Sequence, residues 1–146
     1  MTLDNLFQNF CKKNNLEINT YQLAIIDQLE SFYKLNFNKS IFDKIFSKND
    51  LKPAFYLYGG VGVGKTMILN FFFDLIEEKK LRKHFNEFML SFHDFAHKRK
   101  EKNEENVINH FVKDLKSKTK LVYFDEFQVT NIVDAMILGK LFEQIF

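Results

Sequence analysis

A lysine and a threonine directly after a glycine-rich turn, and two adjacent carboxylates closing an apolar run, are the residues here whose types and spacing could do chemistry. The first group is Gly59-Gly60-Val61-Gly62-Val63-Gly64-Lys65-Thr66, a Gly-x-x-x-x-Gly-Lys-Thr pattern. Successive backbone N–H groups of such a loop turn inward around a phosphate, which requires glycine where φ is positive or a Cβ would intrude. A helix starting at the end of the loop adds unpaired N–H groups and the positive end of its dipole. In that arrangement Lys65 reaches the β/γ-phosphates and the Thr66 hydroxyl ligates Mg²⁺. The implied ligands are ATP and Mg²⁺, with Gly59, Gly60, Val61, Gly62, Val63, Gly64, Lys65 and Thr66 forming the cradle.

A glycine-rich turn with no ligand is the bland alternative. At a glycine frequency of about 7%, the eight-residue pattern arises by chance in well under roughly 1% of chains this long. Four of the five glycines lie between 59 and 64. The context also agrees, because Phe55-Tyr56-Leu57-Tyr58 reads as a strand and Met67 to Ile76 as an apolar helix.

The second group is Asp125-Glu126, which ends the strand-like run Leu121-Val122-Tyr123-Phe124. A carboxylate at the end of a buried strand can hold Mg²⁺ directly or through its waters, and a neighbouring Glu can polarise the attacking water. Asp125 is thus the expected metal residue and Glu126 the expected base, against the plainer reading of an exposed acidic turn. Proteins that bind GTP place a glycine three positions after the metal Asp; Gln128 stands there in this chain. The pattern is that of an ATPase. His93 and His97 stand one helical turn apart, as in His-Glu-x-x-His metal sites, but Asp94 is a shorter base than Glu and no third ligand is signalled. They are expected to be ordinary surface histidines.

These groups need a scaffold. With 146 residues and a net charge of +2, the chain is long enough for a substantial core, and its charge gives little reason to expect a nucleic-acid partner. The abundance of lysine, asparagine and 19 phenylalanines points to an AT-rich genome more than to a function. The single Cys11 cannot form an internal disulfide, which fits a reducing compartment. No apolar run reaches transmembrane length and the first residues do not resemble a targeting signal, so a cytoplasmic location is expected.

Along the chain, residues 1–18 read as a loosely helical leader. Thr20 is expected to cap a helix with apolar positions Tyr21, Ile25, Leu29 and Phe32. Residues 36–50 suit a short helix and loop, and Pro53 marks entry into the phosphate-loop strand. The expected division is a helical extension over 1–52 and a nucleotide-binding core over 53–146. Basic residues Lys79 to Lys83 would complement the dipole at the end of the loop helix. His84 to Met89 alternates and reads as a second strand, after which Ser91 would cap a helix bearing the two histidines. Lys98 to Asn106 is a solvated charged stretch, Val107 to Leu115 an amphipathic helix, Leu121 to Phe124 a third strand, and Ile132 to Phe146 a closing helix.

Three stretches together resemble a known family. Tyr56 to Gly62, His84 to Met89, and Phe124-Asp125-Glu126-Phe127-Gln128-Val129-Thr130-Asn131-Ile132 with Asp134 to Leu138 are similar to the ZapE-type, or AFG-one-like, ATPases. The Asp-Glu-Phe-Gln-Val-Thr stretch is the most specific of them. The resemblance implies an AAA-like P-loop NTPase: a three-layer α/β/α fold with a parallel sheet, preceded by a helical extension. It implies ATP hydrolysis linked to division-ring constriction in bacteria or to inner-membrane protein quality control in mitochondria. Partners would be division-ring or inner-membrane proteins, the location cytoplasmic or peripheral at the inner membrane, and oligomerisation is left open. Gln22 stands where the family carries a glutamine, either beside the adenine or as a polar residue of a helix surface. Family members continue past the position of Phe146 into a sensor strand and completing arginines, so the chain is expected to be an amino-terminal fragment, incomplete at the C-terminus of the sheet. The alternative function is a remnant that binds nucleotide without turnover or serves as an interaction module. A helicase-loader type of ATPase would share the phosphate loop but not the Asp-Glu-Phe-Gln-Val-Thr stretch.

Overall fold

The computed structural model describes residues 2–37, 54–100 and 102–146. It divides into two compact units, Met1–Leu75 and Ile76–Phe146. The expected helix and loop over 36–50 and the Pro53 boundary fall outside the described residues, apart from Asn36, which ends a helix, and Phe37, which caps it.

In the first unit, α1 (Leu3–Lys13) is capped by Thr2, whose hydroxyl accepts from the Asn5 N–H. α2 (Thr20–Asn36) is capped by Asn19 rather than Thr20. The Asn19 side chain accepts from the Gln22 N–H and the Gln22 side chain accepts from the Asn19 N–H, a reciprocal capping box that satisfies two donors at once. The buried stripe is therefore Gln22, Ile26, Leu29 and Phe32, while Tyr21 is exposed. α3 (Lys65–Leu75) follows the glycine loop. Its Phe71 ring meets Phe7 and Phe10 of α1, each at 5.1 Å, and its Phe72 ring meets Phe32 and Tyr33 of α2. Edge-on aromatic pairs of this kind add directional attraction to simple burial. Cys11 is fully buried in this core, and burial pushes its thiol pKa up.

The strand expected over Phe55 to Tyr58 does not form: residues 54–60 carry no regular secondary structure. A strand requires a ladder partner for its N–H and C=O groups, and no neighbour pairs with it among the described residues. The alternation nevertheless survives. Phe55 and Leu57 are half-buried, while Tyr56 and Tyr58 are exposed and stack at 5.9 Å, the same-side placement of residues two apart on an extended chain.

The second unit corrects the sequence reading over 79–100. The strand is β1 (Lys80–His84), and α4 (Phe85–Arg99) begins where a strand was expected. Phe85, Phe88, Met89 and Phe92 are all buried. Their spacing is helical, and the six-residue alternation from His84 to Met89 was too short a window to tell the two periods apart. Lys79 to Lys83 thus belong mainly to a basic strand, not to the end of the loop helix. Ser91 lies inside α4, where its hydroxyl donates to the Glu87 carbonyl and accepts from Lys83.

After Lys100, whose φ of 53° ends α4 in the left-handed region, α5 (Glu104–Lys118) is capped by Asn103. β2 (Leu121–Asp125) and α6 (Ile132–Ile145) lie where the sequence puts them. β1 and β2 are parallel, with Lys80 opposite Leu121 and His84 opposite Asp125. Parallel strands need a crossover, here α4 and α5. The fold is mixed α/β with a two-stranded parallel sheet among the described residues. β2 is half-buried along its length rather than buried.

One face of that sheet meets the core. Phe124 packs against Phe88 at 4.8 Å and Phe85 at 6.2 Å, and Phe88 also meets Phe111 of α5. Phe88 is 1% exposed, so Phe88→Ala removes a ring with no room for compensating solvation. We expect a loss of about 3–5 kcal/mol, measured by urea denaturation, against near-neutrality for a change at exposed Leu90.

Candidate functional site

The glycine loop is geometrically what its sequence demands. Gly59, Gly62 and Gly64 have φ of 148°, 82° and 85°, a region closed to most residues with a Cβ. Val61 and Val63 take the intervening positions and expose their side chains. Gly64 accepts the first helical bond, from the Ile68 N–H at 3.0 Å. Helix geometry then leaves the N–H groups of Lys65, Thr66 and Met67 without helical acceptors at the mouth of the loop. The Lys65 ammonium is turned back over the loop, donating to the Gly59 carbonyl at 2.9 Å and to the Gly60 carbonyl. Lys65 and the loop backbone are thus one local unit, and Thr66, the next residue, is exposed.

Such a cradle fits an anion. Its backbone turns where a Cβ is disallowed, a helix N-terminus opens onto it, and a cation lies within its reach. One turn beyond Thr66, Asn70 Oδ1 is buried with no hydrogen-bond partner among the described residues. Nothing in the sequence signals that group.

The second unit holds the acidic pair. Asp125 ends β2 with its carboxylate 14% exposed, and Arg82 of β1 donates to it. Tyr123, two residues back on the same face, has its ring 5.2 Å from the Arg82 guanidinium carbon. Burial pushes the Tyr123 phenol up to about 12, and the Asp125 charge adds to the shift while Arg82 opposes it. Asp125, Tyr123 and Arg82 therefore form a polar cluster on the sheet face opposite Phe124. Arg82 carried no signal as a single residue; only the register, with Arg82 opposite Tyr123, brings it to the carboxylate.

Glu126 is exposed, with φ of 52°. A non-glycine residue in that region costs about 1 kcal/mol or more and is found where a strand end re-aims a side chain. Of the two histidines, His93 Nε2 lies 2.9 Å from Asp134 Oδ1 and so links α4 to α6. No group of three or more His, Cys, Asp or Glu side chains suited to a metal occurs among the described residues. The sequence thus locates both chemical groups, the loop in one unit and the carboxylates in the other.

Comparison with known proteins bears on the family. The family model described as AFG1-like ATPase matches residues 2–146. Lactation elevated protein 1 homolog B of Danio rerio is 40% identical over 110 residues, covering 68% of this chain and 22% of that protein. Cell division protein ZapE of Escherichia coli K12 is 37% identical over 94 residues, 62% of this chain and 24% of that protein. The chain therefore spans under a quarter of the length of these curated relatives. No solved structure matches it.

The loop geometry separates its glycines. A Cβ on Gly64 would sit at φ +85° and 3.0 Å from Gln22 Nε2, whereas one on Gly60 would meet nothing within 4 Å. Gly64→Ala is expected to lower stability by about 1–3 kcal/mol, and Gly60→Ala to change it by under about 0.5 kcal/mol. Thermal denaturation of the two variants measures the contrast.

Proposed function

The chain belongs to the AFG1-like ATPase family, and on that premise we propose that it binds ATP with Mg²⁺ through residues 59–66 and takes part in ATP hydrolysis. The observation that carries this reading is the loop itself: glycines in the left-handed region, running straight into a helix whose first residue is Lys65. In this reading Gly59, Gly60, Val61, Gly62, Val63 and Gly64 present backbone N–H groups to the phosphates. Lys65 exchanges its carbonyl partners at Gly59 and Gly60 for the β/γ-phosphate oxygens, a stronger charge-assisted pairing.

The donor set suits Mg²⁺, a hard cation that prefers oxygen: the Thr66 hydroxyl and the Asp125 carboxylate would hold it. Bound there, it would neutralise charge on the phosphate oxygens. Arg82, which donates to the Asp125 carboxylate, holds it oriented until then. Glu126, at φ 52° directly after β2, is assigned the role of orienting and deprotonating the attacking water. The fold proposed around these residues is the AAA-like three-layer α/β/α core over 53–146, preceded by the helical extension over 1–52.

Among the described residues no helix is long and apolar enough to cross a membrane. A cytoplasmic or membrane-peripheral place is proposed, with the cell-division role named for ZapE of Escherichia coli as the guide to its biology. Division-ring or inner-membrane proteins are the proposed partners.

Two substitutions test the assignment. Lys65→Ala should weaken binding of a fluorescent ATP analogue by about 10- to 100-fold, the range expected for losing hydrogen bonds to a charged group. Unchanged affinity would remove the loop from the site. Glu126→Gln should leave that affinity intact and lower any Lys65-dependent phosphate release by about 10²–10⁴-fold. Release at the unmodified rate would exclude Glu126 as the base.

A further inference from the structure

Neither motif accounts for the buried carboxamide of Gln22. It is 9% exposed, in a helix whose other buried residues are apolar. Its carbonyl end is committed: Oε1 accepts from the Asn19 N–H at 3.3 Å, while the Gln22 N–H donates to Asn19 Oδ1 at 2.9 Å. The amide end faces elsewhere. Nε2 lies 3.0 Å from where a Cβ on Gly64 would stand, against the residue at which the glycine loop becomes α3.

We propose that Gln22 is a positioning residue for the phosphate loop. The capping box of α2 holds the carboxamide so that its NH₂ group walls Gly64 and turns the positive end of the amide dipole toward the anion seat. This rests on the nucleotide-binding reading of residues 59–66. α2 then grips the loop and its helix at two points, through Gln22 at Gly64 and through Phe32 and Tyr33 at Phe72. The contact is with the phosphate end of the site and corrects the surface-helix alternative for this residue.

Local helix chemistry does not choose glutamine here. A capping box takes Glu or Gln at this position, and the helix dipole favours Glu in the first turn. A carboxylate beside the loop would repel the phosphates, whereas the amide does not. The choice is therefore set by the loop and not by α2.

The test is Gln22→Glu in the 146-residue chain, which keeps side-chain size and the cap acceptor but replaces the NH₂ group with a charged oxygen. Titration with a fluorescent ATP analogue and Mg²⁺ should show affinity weakened about tenfold or more, with the penalty shrinking as salt is raised toward about 1 M. A residue that merely caps α2 would show neither effect. Affinity equal to wild type, with Lys65→Ala still deficient, overturns this inference and leaves the nucleotide reading standing. Absence of Lys65-dependent binding in the wild-type chain overturns both. Should Gln22→Glu fail to fold, Gln22→Met in nucleotide-free protein gives a second measurement. Amide exchange at Gly64, Lys65 and Thr66 should accelerate more than at Phe71 and Phe72, and uniform acceleration overturns the proposal.

Discussion

Everything chemical in the first unit depends on one backbone constraint: a loop must reverse direction repeatedly and then enter a helix with its N–H groups converging. Only residues without a Cβ make the reversals without strain, and Gly62 and Gly64 make them at φ of 82° and 85°. Such a loop has little side chain of its own to hold it. Its order comes from α3, anchored by Phe71 against α1 and by Phe72 against α2, and from Lys65 folded over its carbonyls. The aromatic residues of α1 and α2 therefore hold the glycine loop through α3.

The second unit solves a different problem, giving a carboxylate a partner at a strand end that is mostly shielded from water. Arg82 meets that need because β1 lies parallel to β2 in a register that sets Arg82 opposite Tyr123 and His84 opposite Asp125. On the reverse face, Phe124 fixes the same strand to the phenylalanine cluster of α4 and α5. One strand thus serves both packing and charge through simple alternation.

The glycine loop, the position of the acidic pair, β2 and α6 were legible in the sequence because each carries a strong local signal. For the loop the signal is glycine spacing. For β2 it is four apolar residues closed by two acids. What escaped depended on longer windows or on partners. The helix from Phe85 to Arg99 was hidden by a short alternation, while its full phenylalanine spacing is helical. The segment Phe55 to Tyr58 has strand alternation without a ladder, and sequence pattern alone cannot supply a partner. Arg82 became meaningful only through register, and the place of Gln22 against Gly64 only through packing, as residues distant in the chain from the groups they meet.

The central claim is that the backbone of residues 59–66, not side chains alone, receives the phosphates of a nucleotide. The most direct measurement is the amide ¹H–¹⁵N spectrum of the chain with and without Mg²⁺·ATP. Hydrogen bonds to phosphate should shift the amides of Gly62, Gly64, Lys65 and Thr66 downfield and slow their exchange, with smaller changes along α3. Saturating nucleotide that leaves those amides unmoved, or shifts residues elsewhere instead, would contradict the account.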